Sequence, residues 1–159
     1  MKKLLARTLA ILMVSTFTIP AMALDATTPT GDVEVSYNVS STYTVTIPEA
    51  QEFTAVEGKT GDVELAAGAI LPFGETLTVT MSSANFSEGF RMKDGTNENY
   101  LGYTISNNST EVETNGATVL SVAAADAPAG ASTTLTFTPD TPTIAGDYSD
   151  TLTFTVAVG

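Results

Sequence analysis

One stretch constrains this chain more than any other. From Val33 to Ile47 the odd positions read Val33, Val35, Tyr37, Val39, Ser41, Tyr43, Val45 and Ile47. The even positions read Glu34, Ser36, Asn38, Ser40, Thr42, Thr44 and Thr46. Successive side chains of a β-strand point to opposite faces, so fifteen residues in one phase describe an apolar face backed by a polar one. The beat returns as TLTVTM at 76–81 and as TLTFT at 134–138 and 151–155. Threonine suits the polar side of such strands: it is β-branched, stiff at χ1 and wettable.

Other segments keep the same period. Leu77, Val79 and Met81 oppose Thr76, Thr78 and Thr80, and Leu101, Tyr103 and Ile105 flank Gly102 and Thr104. Leu135 and Phe137 oppose Thr134, Thr136 and Thr138, and Leu152, Phe154, Val156 and Val158 oppose Thr151, Thr153 and Thr155. Shorter strands are predicted at Val63–Ala67, Gly89–Met92 and Ala117–Ala123. Turns are predicted at Glu57-Gly58, Thr60-Gly61-Asp62, Pro72-Phe73-Gly74, Lys93-Asp94-Gly95, Ala127-Pro128-Ala129-Gly130 and Pro139-Asp140-Thr141-Pro142. No segment carries a sustained helical period. The fold class this predicts is all-β, a two-layer antiparallel immunoglobulin-like β-sandwich of about seven or eight strands. Its closing strand, Tyr148–Val158, is expected to pair inside a sheet and bury its four in-phase apolar residues.

The first run is too long for one such strand. Fifteen extended residues span about 50 Å, at roughly 3.3–3.4 Å each, whereas strands usually run about 5–6 residues. Either the chain bends near Asn38–Ser41 and crosses between sheets, or part of the run pairs with a neighbouring subunit.

The N-terminus reads as an export signal rather than as fold. Lys2, Lys3 and Arg7 precede a mostly apolar run from Leu9 to Ile19, and Ala21-Met22-Ala23 supplies the small-x-small cleavage pattern. A membrane span needs about 20 apolar residues, and this run is shorter. The expected division is a cleaved signal peptide at residues 1–23 and a single β-sandwich domain at 24–159. Without its three basic signal residues the mature chain has three Lys or Arg against eighteen Asp or Glu, a net charge of −15. That balance excludes phosphate neutralisation as a binding mode and so argues against nucleic acid.

The residue inventory also narrows the chemistry. The chain has no histidine and no cysteine, which removes Ser-His-Asp and Cys-His catalysis, imidazole- or thiolate-held zinc, and any disulfide. Carboxylates alone remain as acid and base, and Glu111 and Glu113 read as a solvated face. The nearest approach to a metal loop is DGTNEN at 94–99. Asp94, Thr96 and Glu98 fall at calcium-loop positions 1, 3 and 5, but Asn99 replaces the turn glycine and Ile105 the bidentate glutamate. No catalytic, cofactor-binding or metal residue is therefore assigned, and no cofactor is expected. Sequons stand at Asn38, Asn85, Asn107 and Asn108.

AGDYSDTLTFTV at 145–156, with a glycine-x-tyrosine corner before its alternating strand, joins STYTVTIP and FGETLTVTM in a pattern that resembles the small secreted immunoglobulin-like surface proteins of Gram-positive bacteria. The resemblance spans roughly residues 33–158. It implies an extracellular structural or adhesive role, and it brings no catalytic residue with it. Within that group the absence of tryptophan excludes a W-x-L wall-binding domain. LPFGE at 71–75 is internal and lacks the threonine of a sortase signal. Chaperone–usher pilins usually carry a disulfide, which this chain cannot form.

The function expected is a non-enzymatic extracellular structural or adhesive surface protein, a filament or matrix subunit assembling by β-strand addition. Its partner would be a second copy or a cell-surface ligand, with no transmembrane span in the mature chain. The alternative is a soluble module for carbohydrate or another surface ligand, which exposed Phe73, Phe86 or Tyr100 in one groove would favour. Intact-mass measurement of the exported protein should give an N-terminus at Leu24; retention of Met1–Ala23 refutes the signal assignment.

Overall fold

The computed structural model describes residues 9–10, 34–95 and 97–159. The segment 1–23, expected to be a signal peptide, lies outside the described residues apart from the backbone of Leu9–Ala10. The elements follow the period-2 segments closely. They are β1 (Leu9–Ala10), β2 (Thr44–Thr46), β3 (Lys59–Leu65), β4 (Thr76–Ser83), β5 (Arg91–Asp94), β6 (Tyr100–Asn107) and β7 (Thr110–Glu111). β8 (Ala117–Ala123), β9 (Ala131–Pro139), β10 (Tyr148–Ser149) and β11 (Leu152–Val158) complete the set. Among the described residues the one helical piece is a 3-10 turn at Ala127–Ala129.

Two antiparallel sheets result. The larger has the order β1-β2-β3-β9-β6-β5-β10, with β7 paired to β6, and the smaller is β11-β4-β8. This is the all-β, two-sheet architecture that the alternation predicts. The larger sheet departs from a flat layer by curling into half a barrel.

The core lies between the sheets, where each strand's apolar phase points. The larger sheet supplies Val63, Leu65, Ile105, Leu135 and Phe137; the smaller supplies Leu77, Val79, Met81, Val119, Leu120 and Val122. Adjacent Val119 and Leu120 are both buried because the ladder slips between Val79 and Thr80. Val79 opposes Leu120 while Thr80 opposes Thr118, so Val119 is the extra residue of a bulge. The threonines fill the other phase, and Thr134 Oγ1 donates across strands to Asp62 Oδ1 at 2.7 Å.

Three expectations need correcting. Lys93-Asp94 of one expected turn belong to β5, and Thr60-Gly61-Asp62 is not a turn but part of β3. Gly61 stands there because the chain at Pro48 crosses directly over it: a Cβ at 61 would lie 2.7 Å from Pro48 Cβ. Second, the run 33–47 is not one strand, and its first half does not cross to the other sheet. Only Thr44–Thr46 joins the ladder, with a bridge from Thr42 to Ile70, whereas residues 34–39 are exposed and carry no strand. Val33 lies outside the described residues.

Third, the closing strand is broken in two. Tyr148–Ser149 pairs with β5 in the larger sheet, while Leu152–Val158 pairs with β4 in the smaller. β11 is also an edge, and its four in-phase residues are half-buried rather than buried. Among the described residues the smaller sheet is three strands wide and has no further strand on that side.

The β6–β7 hairpin closes through Asn108 and Ser109, with φ of 46° and 71°. Asparagine tolerates left-handed backbone; serine carries a Cβ that crowds the following carbonyl, costing about 1–2 kcal/mol. Ser109→Gly should raise stability by about 1 kcal/mol, read as a higher urea midpoint at unchanged slope. A lower midpoint would show that the turn is not of this type.

Candidate functional site

The chain's switch between sheets is held by one carboxylate. Asp150 lies between β10 and β11, half-buried. Its Oδ2 accepts from Ser83 Oγ and Tyr103 Oη, both at 2.6 Å. Its Oδ1 accepts from the Thr151 backbone N–H at 2.8 Å, Asn85 Nδ2 at 3.0 Å and the Asn85 N–H at 3.2 Å. Ser83 ends β4 of the smaller sheet and Tyr103 belongs to β6 of the larger, so the carboxylate ties both layers. Arg91 Nε extends the network to the Asn85 carbonyl at 2.9 Å, and the Arg91 guanidinium lies 4.0 Å over the Tyr100 ring. With its lone pairs engaged by five donors, Asp150 acts as a clamp on the crossing.

The same geometry acts on Tyr103. Burial raises the phenol's pKa well above its ordinary value, and the Asp150 carboxylate adds to the rise by hydrogen bonding and by charge; the Ser83 contact opposes it.

Beside this clamp the sheets stand apart around a groove of about 1230 Å³. Met92, Leu101 and Phe137 line it from the larger sheet, and Leu152 and Phe154 from β11. The segment 47–56 forms one wall, fastened where Lys59 Nζ donates to the Glu52 carbonyl and where Pro48 rests on Gly61. Val56 and Ile144 on the rim are 49% and 53% exposed, so the groove is apolar and open. Carboxylates at Glu49, Glu52, Asp140 and Asp147 lie around it.

β11 presents its free backbone edge on this side. Gly159 and Thr76 exchange both their N–H···O bonds, at 3.2 and 3.0 Å. The odd residues of β11 therefore face β4, and the N–H and C=O groups of Leu152, Phe154, Val156 and Val158 point the other way. Among the described residues no strand pairs with that outer edge.

The residues singled out in the sequence fall elsewhere. Phe73 is fully exposed at a turn tip, Phe86 packs edge-on against Phe90 at 5.1 Å, and Tyr100 lies under Arg91. None of the three lines the groove. Asp94 is buried and accepts from Asn97 Nδ2 at 2.9 Å, Glu98 is exposed, Ile105 is core, and Thr96 lies outside the described residues. Among the described residues no three His, Cys, Asp or Glu side chains gather as a metal-ion set. Glu111 and Glu113 are exposed. Of the sequon asparagines, Asn38 is exposed and Asn85 serves the clamp. Asn107 donates to the Val119 carbonyl at 2.8 Å, and Asn108 donates to Thr133 Oγ1 at 2.9 Å. Tyr148 is half-buried and its hydroxyl donates to the Ile144 carbonyl at 3.0 Å, closing the Gly146-Asp147-Tyr148 corner.

Asp150 was missed, though the sequence carried its signal. In the final run the inward phase reads Tyr148, Asp150, Leu152, Phe154, Val156, Val158; in β4 it reads Leu77, Val79, Met81, Ser83. An acid and a serine in the apolar phase require partners inside, and these two partner each other.

No known family model matches the chain, and no curated protein is similar to it in sequence. Among the described residues no helix is long and apolar enough to cross a membrane.

Tyr103→Phe should lower stability at pH 8 by about 1.5–3 kcal/mol, the range for a hydrogen bond to a charged group. It should also remove an alkaline dependence. Above about pH 10 the unfolded chain releases this phenolic proton while the folded chain keeps it, so the parent's stability falls as pH rises. Urea unfolding at pH 8 and pH 10.5 checks both, and an unchanged alkaline slope in the variant would contradict the assignment.

Proposed function

We propose that this protein is an exported, non-enzymatic structural or adhesive component of a cell surface, built on an immunoglobulin-like sandwich. The observation that carries the reading is β11: an apolar edge strand, half-covered, beside an open groove of about 1230 Å³. Full burial of each such side chain is worth about 1.5–3 kcal/mol. Four left half-covered along a free edge describe a surface that gains by association. The inventory without histidine or cysteine supports a role that rests on contacts rather than on group transfer. Phe73, Phe86 and Tyr100 are dispersed rather than gathered in the groove, so the arrangement that would favour a carbohydrate module is not formed by them.

The mature chain's excess of acidic residues fits an extracellular setting, where repulsion keeps newly exported copies soluble. Immunogold labelling of intact source cells, with protease shaving, tests the reading. Labelled protein should decorate the outer surface and be lost on shaving. Protein confined to the cytoplasm, or free in the medium with none held at the cell, would overturn it.

A further inference from the structure

The largest exposed apolar residues include two sets that suit each other. One is an alternating row on the N-terminal extension: Val35, Tyr37 and Val39 are 90%, 82% and 53% exposed. The other is the groove rim at Val56 and Ile144, above half-covered Leu152 and Phe154. In its own chain the extension lies outside the groove, with residues 34–39 in no strand. An exposed, alternating, β-branched segment and a free apolar edge within one sequence are each a liability unless they meet.

We infer that the extension of one copy adds as a strand to the β11 edge of a second copy and lays its apolar row over the groove mouth. This rests on the surface-component reading and names its partner, another molecule of the same chain. The lengths agree: Val33–Val39 and Leu152–Val158 each carry four in-phase apolar residues over seven positions. All pairings in the two sheets are antiparallel. An antiparallel addition sets Val33 opposite Val158, Val35 opposite Val156, Tyr37 opposite Phe154 and Val39 opposite Leu152. Valine meets valine and aromatic meets aromatic, and all lie on the inward face. The outward-pointing N–H and C=O groups of Leu152, Phe154, Val156 and Val158 supply the ladder, and the apolar row fills the gap left by the narrow sheet. Because donor and acceptor lie on different surfaces, the contact is head-to-tail and propagates into a fibre.

The same register places Ser36 opposite Thr155 on the outer face, at a position whose backbones do not exchange hydrogen bonds. Such pairs lie about 4.5 Å apart at Cα, within disulfide reach. The chain has no cysteine of its own, so introduced thiols report without background. The test is mild oxidation of the mature Ser36→Cys/Thr155→Cys protein in 0.15 M salt, where charge is screened beyond about 8 Å. The expected result is a ladder of covalent multimers, while a mixture of the two single variants stops at the heterodimer.

Monomer alone, an intramolecular disulfide, or an equal ladder from Ser36→Cys/Thr118→Cys on the far strand β8 would each overturn the inference. A second measurement needs no substitution. Excess peptide of residues 32–39 should abolish multimers of the unmodified mature chain in sizing, and multimers indifferent to it sink strand addition. Surface labelling without a ladder defeats this inference alone, whereas a ladder from a protein confined to the cytoplasm defeats the surface reading.

Discussion

A single aspartate settles how this fold is put together. Had the closing strand simply continued from Tyr148 to Val158, it would have stayed in the larger sheet beside β5 and left β4 with one partner. Instead the chain turns at Asp150, whose carboxylate gathers donors from β4, from β6 and from the loop after β4. Taking a carboxylate partly out of water is unfavourable unless its oxygens are satisfied. These donors satisfy them only when the strand changes layers at this residue. The small sheet, its edge and the groove beside that edge all follow from the turn.

The two faces of each strand then play separate parts. The apolar phase fills the space between the layers until the supply of strands ends at β11. The threonine phase gives a hydroxylated exterior that pairs across strands and needs no deep burial, which suits a chain lacking disulfides. Three basic side chains remain described at Lys59, Arg91 and Lys93. Lys59 and Arg91 are engaged, one holding the groove wall and the other joining the clamp to the Tyr100 ring.

Much of the architecture was legible because period 2 leaves little freedom. The period of Ala117–Ala123 gives β8 to the residue, and the phases around Leu77, Tyr103 and Leu135 give β4, β6 and β9. Misreadings arose where a local signal answered to a distant partner. Gly61 resembles turn punctuation, yet its role is to admit Pro48 from another segment. The alternation of Val33–Val39 states that one face is apolar but not what covers it. Asp150 falls within the expected closing strand, but the period alone marks only the apolar members of its phase and not the acid that interrupts them. The groove was invisible in sequence: it arises from the unequal widths of two sheets, which become apparent only once the crossing at Asp150 and the pairing order are known.

The contact between Gly61 and Pro48 reaches further than its place on β3 suggests. Pro48 lies near the start of the segment that walls the groove, and it can rest there only because position 61 presents hydrogen where other residues carry carbon. The aperture is thus calibrated by the thickness of a single methyl group on the opposite side of that wall. A substitution there would leave every lining side chain intact yet displace the wall that Pro48 anchors. The position of one groove wall is thus set by a residue that does not itself line the groove.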